Sequence, residues 1–374
     1  MAAAFLSERH LQVRQALVIG THLHPDLPAT VEWIESSHPF PDGRSEHAGN
    51  RAIAVAQGVH SGDALVILLS GGASALMAAP VAGITLTDKI ATTRLMMESG
   101  ADIHALNTVR RHLSKVKGGR LAASCVGTTV TLAISDVIGD DLNAIGSGPG
   151  VADRTTWADA AAMVERFGGD AHLSEVRHLI ERGLGGAIPD TPKPGDASLR
   201  RSQAMVIGSR IDAMAGAKQA AFERGYYPIV IAEPVTGEAR EMAPRWLTRA
   251  RELARDVNKP ACVISSGETT VRVTGPGRGG RNLEFALAVA EAMAAPARMA
   301  LASIGTDGID GSSGVAGAIV DSTSMARASA LGLGSPGNYL AANDSLAFFA
   351  RLDDVVRLGR TDTNVGDLQV MLID

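Results

Sequence analysis

The sequence predicts an α/β protein built on a mostly parallel sheet with helices on both faces. Two observations lead there. Short apolar runs alternate with helix-periodic segments along the chain. The runs are continuous rather than alternating, as strands buried on both faces require. Length adds a third: 374 residues, 45% of them apolar, suit two domains of ordinary size, each with its own core.

Taken in order, the runs 15–19, 64–69, 130–134, 204–207, 228–231 and 260–264 read as buried strands. Segments 46–57, 87–99, 158–167 and 212–224 carry the helical period between them. Residues 188–200 are rich in proline, glycine and polar groups and lack periodicity, so they read as a linker, giving domains 1–195 and 196–374. Beyond it the pattern changes. Val271-Arg272-Val273-Thr274 alternates apolar and polar, which predicts an exposed-face or antiparallel strand. A strand at 299–304 and a terminal strand close the chain.

Composition excludes several classes of function. Aromatic residues make up only 3%, too few for a stacking platform. The net charge is −5 with no basic block, which argues against a nucleic-acid partner. Cys125 and Cys262 are far apart in apolar stretches, so neither a disulfide framework nor a metal cluster is expected, and a reducing cytoplasm fits. The opening residues lack the pattern of a signal peptide, and no run reaches the roughly 20 apolar residues of a membrane helix.

In sheets of this kind ligand sites gather after the strands. Ser70-Gly71-Gly72-Ala73-Ser74 follows the 64–69 strand, and its small residues let backbone N–H groups approach an anion; a bare strand-to-helix turn is the alternative. It is neither a Walker loop nor a dinucleotide fingerprint. Residues 107–120 are the most basic stretch. A solvated helix face explains much of it, while Lys117-Gly118-Gly119 sets backbone donors beside a positive charge. Asp136 and Asp140 follow the 130–134 strand, where carboxylates commonly hold Mg²⁺ or else cap a turn. Residues 275–285 combine four glycines with Arg278 and Arg281 ahead of a helix, a composition suited to gripping carboxylate or phosphate. Asp307 and Asp310 lie among glycines after the 299–304 strand, able to bind metal, take a hydroxyl proton or form an Asx turn. Among ten histidines only His38 stands at a strand end that could reach a cleft; the rest read as surface or capping residues.

Together these segments resemble the glycerate 2-kinase family with a MOFRL C-terminal domain, whose members also carry a hydroxypyruvate reductase label. The matching stretches run in order along almost the whole chain. They include HPFPDG at 38–43, LLSGGASAL at 68–76, NTVRRHLSKVKGGRLA at 107–122 and ISDVIGDDLNAIGSGP at 134–149. SGETTVRVTGPGRGGRNLEFALA at 266–288, GTDGIDG at 305–311 and TDTNVGDL at 361–368 continue the series. The resemblance implies a Rossmann-like first domain, a smaller α/β second domain with a mixed sheet, and a cleft between them. It further implies ATP- and Mg²⁺-dependent phosphorylation of D-glycerate at its 2-hydroxyl. On that basis Arg281 and Asp307 are expected to be catalytic. Ser70, Gly71, Gly72, Ser74, Lys117 and Gly118 are expected to bind phosphate or nucleotide; Arg281, Asn282 and His38 to bind substrate; and Asp136 and Asp140 to hold the metal. The expected partners are D-glycerate and ATP, with no nucleic acid or membrane, and a homodimer remains open.

One departure bears on activity. Family members begin with a strand and a loop whose lysine precedes a methionine that aligns with Met1, so a mis-assigned start or a real truncation is expected. Two other readings accompany the kinase. A hydroxypyruvate reductase needs a nicotinamide site, whose fingerprint is absent. A non-catalytic glycerate- or nucleotide-binding remnant would bind ATP without turnover.

Overall fold

The computed structural model describes residues 1–294 and 298–374. The chain forms two compact units, one of Met1–Ile134 and Gly139–Ile207, the other of Ser135–Ile138 and Gly208–Asp374. The crossing therefore falls later than the expected 195/196. The physical reason is that 188–200 is not a free linker. Thr191 is buried, the Asp190 carboxylate meets His112 Nε2 at 2.9 Å, and Asp153 N donates to Pro192 O at 2.9 Å.

In the first unit, strands β1 (Leu17–Gly20) and β2 (Glu32–Glu35) form a parallel pair. Strands β3 (Ala64–Leu69), β4 (Thr128–Ile134) and β5 (Ser202–Gly208) form a second sheet in that order, with β3 parallel to β4. Sequence pattern missed β2, because two of its four residues are glutamates. Glu32 keeps its charge on the strand by pairing with Arg51 at 2.6 Å. Beside these sheets the helices Leu86–Glu98, Ile103–His112, Trp157–Arg166 and Ser174–Leu184 pack around Met96, Val109, Leu113, Trp157 and Leu179. Each such buried side chain contributes roughly 1.5–3 kcal/mol.

Helices begin ahead of their apolar period because the first turn is set by capping. Thr85 with Asp88, Thr156 with Asp159, and Ser209 with Asp212 each form a reciprocal capping box. The basic stretch also departs from expectation. Arg111, His112 and Lys117 are buried rather than solvated. His112 packs its ring 4.9 Å from that of Trp157 and serves the core, not the surface.

The second unit holds β6 (Tyr227–Val230), β7 (Val235–Glu238), β8 (Ala261–Thr270), β9 (Met299–Gly305), β10 (Gly317–Asp321), β11 (Val355–Val356) and β12 (Asp367–Ile373). They form one mixed sheet in the order β11-β10-β9-β12-β8-β6, with β7 also paired to β8. β8 is parallel to β6 and β7 on one side and antiparallel to β12 on the other. Its alternate residues meet different cores. Val263 joins Trp246 and Phe285, whereas Cys262 and Ile264 join Met214 and Ala221 on the opposite face. Burial on both faces is why this strand reads as a continuous apolar run.

No strand forms at 271–274. The backbone donors there go to side chains instead. Arg272 N reaches Glu238 Oε1 at 3.1 Å, and Thr274 N and Gly275 N share Asn343 Oδ1, each at 2.8 Å.

Gly267 sits where β7, β8 and β12 meet, opposite Val235 and Asp367. A Cβ there would lie 1.9 Å from Val235 O, and no flexible side chain could yield to it. Gly267→Ala is expected to destabilise the chain by roughly 1–3 kcal/mol, read as a lowered urea midpoint. An unchanged midpoint would show that the β7 edge relaxes freely.

Candidate active site

In the first unit the loop after β3 turns through Gly72, whose φ of 82° favours glycine, into the short helix Ala73–Leu76. Ser70 is exposed at the strand end, with Gly71 and Gly72 half-buried behind it. His38 lies against this turn, since a Cβ on Gly72 would come within 3.1 Å of its ring. The structure thus brings His38 and the glycine loop together, though His38 belongs to the chain after β2.

Ser74 is the centre of a cationic cluster. Lys117 Nζ donates to Ser74 O at 3.0 Å, to Ser74 Oγ at 2.8 Å and to Gly146 O at 3.2 Å. Arg110 also donates to Ser74 Oγ, and Ser147 Oγ lies 3.1 Å from the same atom. Lys89, on the helix Leu86–Glu98, is 5% exposed, and its Nζ has no hydrogen-bond partner. Burial first, and Arg110 second, push Lys89 down to about 7. Lys117 is pushed well below its ordinary value by burial, then by Arg110 and Lys89. Among the described residues none of these three cations forms an ion pair.

Gly118 is placed differently from expectation. Its N–H donates to Ser147 O at 3.1 Å, and that of Gly119 to Gly148 O at 2.7 Å, so both donors are consumed inside the fold. Asp140 occupies a turn with φ 55° in the first unit, while Asp136 belongs to the segment that packs with the second. The two carboxylates expected to share a metal therefore stand in different units. The chain returns to the first unit after Ile138, between the two carboxylates.

In the second unit Arg281 begins the helix Arg281–Ala288. Its Nε lies 2.9 Å from both oxygens of Asp367, and its Nη1 lies 2.6 Å from Glu268 Oε1. Burial alone would lower its pKa, but Asp367 and Glu268 more than offset that and raise it. Burial pushes Glu268 up to about 7; Arg281 opposes this, while Asp367, Asp136 and Asp307 add to it. Asp310 is pushed up to about 6, chiefly by burial, and Asp367 is raised for the same reason. Asp136 accepts from Asn364 Nδ2 at 3.3 Å.

Asn282, expected to touch substrate, is 1% exposed and turned inward. It donates to Asp367 Oδ1 at 2.8 Å and accepts from Ser303 Oγ at 2.7 Å, so it positions Asp367 beneath Arg281. Asp307 Oδ1 accepts from Ile309 N at 3.0 Å, an Asx turn. The glycines at 275–280 serve close packing: Gly277 N donates to Ala342 O at 2.9 Å, and a Cβ on Gly275 would lie 2.3 Å from that oxygen. Arg278 N donates to Asp344 Oδ1 at 3.1 Å, while Arg281, just past the loop, reaches Asp367 and Glu268.

Comparison with known proteins bears on what this arrangement is. The sequence matches a domain of unknown function (DUF4147) over residues 1–181 and the MOFRL family over 261–367. It is 35% identical to the D-glycerate 2-kinase of Thermotoga maritima, covering 100% of this chain and 88% of that protein. The crystal structure of glycerate kinase from the same organism superposes with a TM-score of 0.89. The chain belongs to the glycerate 2-kinase family. A Pyrococcus horikoshii glycerate 2-kinase is 35% identical over 92% of this chain and 78% of its own length. A protein of Agrobacterium vitis that carries a provisional hydroxypyruvate reductase name is 39% identical over 96% of this chain and 81% of its own.

Sequence reasoning did not single out Lys89, Arg110, Glu268 or Asp367, which the structure draws into these two charge clusters. Lys89 offered no signal, being one lysine in a helix of mixed composition. Glu268 and Asp367 stood inside quoted motifs, and the available clue was that each is a carboxylate within a strand otherwise apolar or small.

The raised carboxyls make stability pH-dependent. Glu268 and Asp310 bind protons in the fold at pH values where the unfolded chain has lost them, between about 4 and about 7. Stability from these groups is therefore greatest in acid and declines as pH rises through that window. Between pH 5 and pH 8 the Tm of Glu268→Gln is expected to fall less than that of the wild type. Parallel curves would remove Glu268 from the titration.

Proposed function

We propose that this chain transfers the γ-phosphoryl group of ATP to the 2-hydroxyl of D-glycerate, giving 2-phosphoglycerate and ADP. The observation that carries the reading is the loop after β3, where Ser74 is held by Lys117 and Arg110 beside the glycine turn. Phosphoryl transfer asks a protein mainly to position groups and to neutralise charge. A small-residue loop with buried cations supplies both. The kinase names of the relatives support the same reading.

In this reading Ser70, Gly71, Gly72, Ser74 and Lys117 receive phosphate, with Gly118 shaping the turn that carries Lys117. His38, against Gly72, and Arg281 face the substrate, and Asn282 orients Asp367 under Arg281. Asp307 orients the 2-hydroxyl or accepts its proton. Among the described residues no three His, Cys, Asp or Glu side chains gather as a metal cage. Mg²⁺ ordinarily needs only one or two carboxylates when phosphate oxygens complete its shell. Asp136 or Asp140 fits that part, and the ion would supply charge neutralisation on the phosphates.

The test couples product formation to enolase without phosphoglycerate mutase, so that only the 2-phosphate gives a signal. Signal with ATP, Mg²⁺ and D-glycerate is expected, with none from NADH oxidation on hydroxypyruvate. The reverse pattern would overturn the proposal in favour of the reductase. Removing Arg281 outright would strand Asp367 in the interior at about 3–5 kcal/mol, so Arg281→Lys is the informative variant. It keeps the charge but loses the planar fork. Its kcat/KM is expected to fall roughly 10- to 100-fold with the fold intact.

A further inference from the structure

We propose that Lys89, Arg110, Lys117 and Ser74 together form a binding site for a doubly charged phosphoryl group, with Lys89 as the cation that the ligand completes. The proposal rests on the kinase reading only for which phosphate compound enters, not for the site itself.

Charge pairing in the surrounding structure separates this cluster from its neighbours. Arg111, adjacent to Arg110 in sequence, pairs with Asp153 at 3.0 Å. His112 and Lys193 both pair with Asp190, at 2.9 Å each. Arg120 is drawn toward Asp190 and Asp153. Among the described residues the carboxylates Asp153 and Asp190 thus serve Arg111, His112 and Lys193, and none pairs with Lys89, Arg110 or Lys117. Lys89 acts only with Arg110 and Lys117, and the effect of each on the other lysine is repulsive.

A purely structural lysine usually finds an acceptor for its ammonium or carries it to water. Lys89 does neither, being 5% exposed with Nζ unpartnered. At Ser74, two cationic donors converge on one uncharged hydroxyl, which also faces Ser147 Oγ. That hydroxyl is thereby filled, and Lys117 has its three acceptors, while the ammonium of Lys89 is left with none. An oxyanion brings the missing acceptors, and charge count selects its class. A carboxylate offers one negative charge to two buried lysines and a half-buried arginine, whereas a phosphate dianion offers two and three accepting oxygens. Asn107 Oδ1 accepts from Ser147 Oγ at 3.0 Å and lies 3.4 Å from Arg110 Nη1, fixing the rim of the site. Burial and Arg110 push Lys89 down to about 7, so a dianion would draw a proton onto it as it binds.

The test uses the full chain and isothermal calorimetry with inorganic phosphate, ATP and 2-phosphoglycerate, on wild type and Lys89→Met. Removing an unpaired buried ammonium leaves the ligand-free Tm equal or higher, so loss of binding cannot be ascribed to unfolding. Inorganic phosphate affinity is expected to fall at least tenfold. A loss shared with ATP alone assigns the site to nucleotide; a loss shared with 2-phosphoglycerate alone assigns it to the phosphorylated acid. Arg110→Gln is the second variant and is expected to show the same ligand preference. Sulfate at pH 8, which does not itself titrate, should be bound with proton uptake that Lys89→Met reduces. Wild-type affinities in both variants, or no binding of any of the three ligands to wild type, would overturn the proposal. Phosphate binding without glycerate turnover would remove the kinase reading and leave this site standing. Turnover with unchanged affinities in Lys89→Met would do the reverse.

Discussion

Two buried lysines, Lys89 and Lys117, and the half-buried Arg110 between their charges set the terms for the first unit. Burying an ammonium without a counter-charge is costly enough that a lysine ordinarily gives up its proton or finds a carboxylate. Here the helices Leu86–Glu98 and Ile103–His112 hold Lys89 and Arg110 in place through the packing of Met96, Val109 and Leu113. The turn that carries Lys117 is pinned by the N–H groups of Gly118 and Gly119. A rigid apolar scaffold thus keeps like charges together that would separate on a mobile loop.

The second unit treats charge in the opposite way. One guanidinium, Arg281, is shared by Asp367 and Glu268, and further carboxylates at Asp136 and Asp307 raise the pKa of Glu268. What makes this arrangement rigid is β8. The strand is covered on both faces, its glycine at 267 passes against β7, and Glu268 follows immediately. β12 brings Asp367 opposite Gly267, and Asn282 holds that carboxylate from the side. The two carboxylates that share the guanidinium are therefore placed by strand register, and Arg281 by the start of its helix. Because more carboxylates than cations meet here, protonation of Glu268 near neutrality is the means by which the unit adjusts its charge.

Much of the α/β plan was legible because buried strands write themselves as continuous apolar runs, and residues 64–69, 130–134 and 260–264 do so plainly. β2 was not among those runs, since two of its four residues are glutamates, paired with Arg44 and Arg51 of the helix that follows. Residues 271–274 misled for the converse reason: alternation mimicked a strand, while Glu238 and Asn343 supplied the partners a neighbouring strand would have given. The stretch 188–200 has a linker's composition, yet Asp190 and Thr191 are bonded into the first unit. Composition reports flexibility only when no partner waits in space.

For the site, ordered motifs sufficed to point to the glycine loop, Lys117 and Arg281, and to the family. They could not say that Gly118 spends its donor on Ser147, that Asn282 faces inward, or that Asp136 and Asp140 go to different units. Nor could they single out Lys89. The sequence by itself determined which residue types were available and which strands and helices would carry them, because periodicity and capping act over a few residues. Which charges were left without partners was decided only by the tertiary structure, because pairing depends on distances between elements far apart in the chain.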